Sequence, residues 1–108
     1  MSFVVSVLKI VIVSQRVASS EGATPAEQPI TTAEWEQANA FADALRLRVP
    51  STVAIEVLDR LKSHTDTLRL IIEYGILSTP TVLIFRSVEL IAVWRYLPST
   101  SEVQAVVN

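Results

Sequence analysis

Glu73-Tyr74-Gly75-Ile76-Leu77-Ser78-Thr79-Pro80-Thr81-Val82-Leu83-Ile84-Phe85 decides how this chain reads: a helix end, a turn holding a proline, then a buried strand. Gly75 suits the left-handed residue that closes a helix, and Pro80 opens a β-branched apolar run where a missing N–H costs no ladder bond. Working downstream, Thr81 to Phe85 and Glu89 to Tyr96 are strands joined at hairpin distance through Arg86, Ser87 and Val88. Pro98 ends the sheet. Ser99 or Thr100 then caps a last helix, with Glu102 in its first turn and Val103, Val106 and Val107 for packing.

Upstream, Thr65 to Tyr74 is expected to be a helix with Leu68, Ile71 and Ile72 inward. Thr52 to Leu58 alternates Val53, Ile55 and Val57 against Thr52, Ala54 and Glu56, which marks a strand. Before it, Trp35, Ala38, Phe41, Ala42 and Leu45 recur at three- and four-residue spacing and predict a helix capped by Thr31 or Thr32, running to about Arg48. Residues 15–31 carry Gly22, Pro25 and Pro29 without periodicity and are expected to form a long loop.

Phe3 to Val13 is apolar apart from Ser6 and Lys9, about half the ~20 residues of a membrane-spanning helix. Lys9 lies inside the run, whereas a signal peptide carries its positive charge ahead of it, although Val17-Ala18-Ser19 has the character of a cleavage site. Its β-branched content and lack of alternation predict a central strand, buried on both faces. The expected order is β-α-β-α-β-β-α: an α/β fold with a mixed four-stranded sheet flanked by helices.

The 108 residues are expected to form a single domain, 1–108, and half of them are apolar, ample for one core. A net charge of −2 gives no electrostatic reason for nucleic-acid or anionic-membrane partners. Mean hydropathy of +0.42 is high for so small a domain and implies apolar surface covered by a protein partner or a second copy.

In the order of its elements, in Tyr74-Gly75, in Thr79-Pro80-Thr81 and in Phe85, the chain resembles the thioredoxin superfamily, closely over Leu58 to Val107 and through element order before that. The resemblance implies a cis peptide before Pro80 and a ligand-binding loop at Ser78, Thr79 and Pro80. Glu89 falls on that family's frequent hairpin glutamate. Thioredoxins place a Cys-x-x-Cys pair after the first strand, at a helix N-terminus that lowers the thiol pKa. This chain contains no cysteine. Val88 stands at the usual hairpin glycine and Tyr96 at a glycine that leaves room for a bound polypeptide, so the groove is expected to be partly filled.

Other chemistry has little support. His64 is the sole histidine, which gives neither a metal site nor a serine triad. Asp59 with Asp66, and Glu34 with Glu36, read as solvated surface or helix caps rather than as acid–base pairs. Arg46, Arg48, Arg60, Lys62 and Arg69 are interleaved with acids and read as a solvated face. Trp94 and Tyr96, two apart on the last strand, are the candidate partner surface, with core packing beneath the final helix as the rival reading of Trp94. The functional expectation is a non-redox protein-interaction module, not an enzyme, with no cofactor and no metal. The alternatives are a signalling domain similar to cyanobacterial clock proteins of the KaiB type, or a glutathione-dependent or other enzyme whose chemistry the sequence does not display. A cytoplasmic location is the default, since lack of cysteine gives no redox address.

Overall fold

Strand β1 (Leu8–Ser14) is apolar on both faces because both faces are covered. Ile10 and Ile12 join Ala38, Ala42, Leu45, Val82, Ile84 and Val103 in the larger core cluster. Val11 and Val13 pack on the other side with Ile76, Leu83 and Phe85. The computed structural model describes residues 7–16, 32–60, 69, 72–76 and 78–107. His64, Asp66, Lys62, most of the expected loop at 15–31 and the start of the helix expected from Thr65 lie outside them.

Helix α1 (Ala33–Arg46) follows, capped by Thr32, whose Oγ1 accepts the Trp35 N–H at 3.1 Å. This cap satisfies one of the amides orphaned at a helix start. Ala38, Ala42 and Leu45 form its buried stripe. The helix stops at Arg46, two residues short of the expected Arg48, and the Arg48 and Val49 amides turn back onto the Leu45 carbonyl. Strand β2 (Ala54–Asp59) runs parallel to β1, with Val53, Ile55 and Val57 toward the larger core as the alternation predicts.

Helix α2 is seen at residue 69 and residues 72–74, tied by an Arg69–Glu73 ion pair of 3.6 Å. It closes at Gly75, whose φ is +59°. A Cβ there would meet nothing within 4 Å, so only backbone strain opposes substitution. Gly75→Ala is expected to cost about 1 kcal/mol, read as a lower denaturation midpoint with unchanged cooperativity.

Strands β3 (Thr81–Arg86) and β4 (Glu89–Trp94) form an antiparallel hairpin, and the sheet order is β2-β1-β3-β4. The left-handed residue of the turn is Ser87, with φ 56°, which leaves Val88 in a conformation any residue adopts. A bulge between Ile84 and Phe85 sets Phe85 opposite Leu90 and Ile84 opposite Ala92. Tyr74 meets Phe85 edge to face, ring centroids 5.6 Å apart.

Helix α3 (Thr100–Val107) opens with a reciprocal capping box. The Glu102 N–H donates to Ser99 Oγ at 3.2 Å, and the Ser99 N–H donates to the Glu102 carboxylate at 2.8 Å. Val103 is fully buried, and Val106 and Val107 pack beside it. The observed order is therefore β-α-β-α-β-β-α, a mixed four-stranded sheet with three helices. No helix among the described residues is long and apolar enough to cross a membrane.

Candidate functional site

Three chain segments meet at the C-terminal end of β1: the strand end itself, the N-terminus of α1 and the turn before β3. Their meeting point is the Glu34 carboxylate. Its Oε2 accepts from the Ser14 hydroxyl at 2.8 Å and from the Gln15 N–H at 2.9 Å, while its Oε1 accepts from the Thr79 hydroxyl at 3.1 Å. The Thr32 hydroxyl donates to the Gln15 carbonyl, and the Thr32 N–H donates to the Arg16 carbonyl at 2.8 Å, so both sides of this junction are stitched. A carboxylate in the first turn also meets the positive end of the helix dipole.

The turn is ordered in the same manner. The Thr79–Pro80 peptide is cis. Thr81 is fully buried and its hydroxyl donates to the Ser78 carbonyl at 2.8 Å. Ser78 is exposed, while Thr79 and Pro80 are half-buried. Ser78, Thr79 and Pro80 thus stand beside the α1 N-terminus, where the resemblance puts a ligand-binding loop. The tip of this site holds hydroxyls, a carboxylate and backbone, and the chain has no thiol to add. Glu34 therefore acts as an acceptor for surrounding donors, which fixes the loop against the helix.

The remaining candidates separate in space. Glu36 is exposed and lies two residues from Glu34, a spacing at which helical side chains do not face each other. Asp59 Oδ1 accepts the Arg16 N–H at 3.3 Å. Arg46 is paired with Asp43 at 2.7 Å and Arg69 with Glu73, which fits the solvated face expected for these cations. Among the described residues, no group of three or more His, Asp or Glu side chains is arranged to hold a metal ion.

Trp94 is half-buried and packs against the larger core cluster, on the face that α1 and α3 cover. Tyr96 is 55% exposed and lies two residues beyond the end of β4. The strand was expected to reach Tyr96; because it ends at Trp94, alternation along a strand does not place the two rings on one face. Arg95, between them, donates through Nη1 to the Gly75 carbonyl at 3.3 Å. Local spacing does not single out Ser14 and marks Glu34 only as a helix-end acid or a surface carboxylate, since the Glu34 contacts with Ser14 and Thr79 span 20 and 45 positions.

The fold has counterparts among solved structures. Thioredoxin-2 of the malaria parasite, a component of its protein secretion machinery, superposes with a TM-score of 0.66 at 11% identity, covering 94% of this chain and 81% of the other. Thioredoxin O2 of Arabidopsis thaliana gives 0.61 at 11% identity over 94% and 72%. Desulfothioredoxin of Desulfovibrio vulgaris Hildenborough gives 0.59 at 20% identity over 92% and 77%. No protein-family model matches the sequence, and no curated protein matches it. The chain thus has a thioredoxin-like α/β fold, and its sequence contains no cysteine.

Proposed function

We propose that this protein is a non-redox interaction module in which the loop at Ser78, Thr79 and Pro80 recognises an extended polypeptide. The observation that carries this reading is the Glu34 junction. At the helix N-terminus where the resemblance puts a reactive dithiol, a carboxylate accepts three hydrogen bonds and pins the loop. A site so fixed has lost a nucleophile and kept a preorganised wall, and preorganisation lowers the ordering cost of binding. Exposed Ser78 leaves the loop open to a ligand on its outer side.

Two measurements test it. Insulin reduction should proceed at the uncatalysed rate, because no thiolate can form. A reduced and alkylated insulin B chain, titrated into isotope-labelled protein, should shift the amide resonances of Ser78, Thr79 and Thr81. Turnover in the first experiment, or shifts confined to other regions in the second, overturns the reading.

A further inference from the structure

Around the Ser78–Pro80 loop stand three exposed side chains that the Glu34 junction does not use. Val82 opposite Trp94 is the last pair of the hairpin, so Thr81 and Pro80 on one chain and Arg95 and Tyr96 on the other are the next residues along. Arg95 Nη1 donates to the Gly75 carbonyl at 3.3 Å, and Gly75 comes three residues before Ser78. Arg95 and Tyr96 therefore border the loop from the sheet, and Gly75 borders it from the end of α2. Tyr96 is 55% exposed, and among the described residues no other aromatic ring is exposed to that degree. Ile72, three residues before Gly75 and expected to face inward, is 75% exposed.

Charge and chemistry then choose the occupant. A guanidinium carries several N–H donors, and a single bond to a carbonyl orients it without neutralising it. Glu73, the acid closest in sequence to Gly75, is paired with Arg69 at 3.6 Å, and among the described residues Arg95 meets no carboxylate. The cation is next to Tyr96 in sequence and reaches toward the helix end that carries Ile72. Tyrosine and arginine are among the side chains enriched as interface anchors, tyrosine because its ring gives contact area at little cost in entropy. An apolar group near an acid complements this surface.

Resting on the reading of the loop as a polypeptide site, we infer that Arg95, Tyr96 and Ile72 set its specificity, and that the polypeptides it takes carry an acidic residue two positions from an aromatic one. Residues two apart on an extended chain face the same way. One ligand can therefore give its carboxylate to Arg95 and its ring to Tyr96 and Ile72 while its backbone lies along Ser78 and Thr79. The acid supplies selection by charge, and the ring supplies most of the affinity.

Three short peptides, acetylated and amidated at their ends, test the inference: Ser-Thr-Glu-Thr-Phe-Thr-Ser, the same chain with lysine for glutamate, and the same chain with alanine for phenylalanine. Titrated into the isotope-labelled full chain at low salt, the first should shift the amides of Ser78, Thr79 and Thr81. It should bind about fivefold more tightly than the lysine peptide and about tenfold more tightly than the alanine peptide. High ionic strength should shrink the first advantage and leave the second. Arg95→Gln keeps a donor for the Gly75 carbonyl and drops the charge, so it should bind the glutamate and lysine peptides within about twofold of each other. Tyr96→Ala should likewise lose most of the preference for phenylalanine over alanine. Urea denaturation checks that both variants are folded; if Arg95→Gln is not, the salt dependence of the parent protein decides. Equal affinity for the three peptides, or preferences that survive in the variants, overturns the specificity and leaves the loop as a polypeptide site. Amides of Ser78 and Thr79 that no peptide shifts overturn both.

Discussion

Glu34→Ala is expected to lower the free energy of unfolding by about 3 kcal/mol, a large part of the stability of so small a domain. The change removes the acceptor for the hydroxyls of Ser14 and Thr79 and for the Gln15 N–H. Ser14 is fully buried, so water cannot readily replace what its hydroxyl loses. An orphaned buried donor costs about 1–3 kcal/mol, and the less buried Gln15 and Thr79 add smaller amounts. Loss of a negative charge at the α1 N-terminus adds up to about 1 kcal/mol.

Glu34→Gln separates geometry from charge. One amide oxygen can still accept from Ser14 and Gln15, while the amide nitrogen faces the Thr79 hydroxyl, which can rotate to accept instead. The glutamine variant should therefore lose about 1 kcal/mol or less. Urea denaturation of the two variants against the parent checks both numbers. If Glu34→Gln costs as much as Glu34→Ala, the junction depends on the charge and the hydrogen-bonding account of it fails.

What was legible beforehand follows the range of the interactions involved. The α1 stripe, the Ser99 and Glu102 cap and the Gly75 stop are written within a few residues of each other, and the structure contains each of them. The centrality of β1 was legible because a strand covered on both faces has no polar alternation to show. The Glu34 junction was not legible. It joins position 34 to positions 14, 15 and 79, and no local spacing distinguishes a first-turn glutamate that caps its own helix from one that receives a threonine from a distant turn. Nor was the early end of β4, because Trp94-Arg95-Tyr96 alternates as a strand would. The pairing ends there because β3 begins only at Thr81, beside the Val82 that lies opposite Trp94. Val88 can stand in the hairpin without strain because the turn's left-handed residue is Ser87.

That early strand end governs the second large effect expected. Trp94→Ala should cost about 2–3 kcal/mol of folding stability and leave self-association unchanged. The ring packs on the larger core cluster opposite Val82, and it is only half-buried, so the loss falls at or just below the range for fully buried tryptophan. Tyr96, exposed past the strand, should tolerate alanine within about 0.5 kcal/mol. The pair of variants distinguishes the two roles open to this end of the sheet. An interface anchor loses association when truncated and keeps its fold, whereas a core residue does the reverse. Thermal unfolding and sedimentation of both variants make the comparison. A Trp94→Ala protein of unchanged stability and weakened association would instead make this end of the sheet the self-association surface.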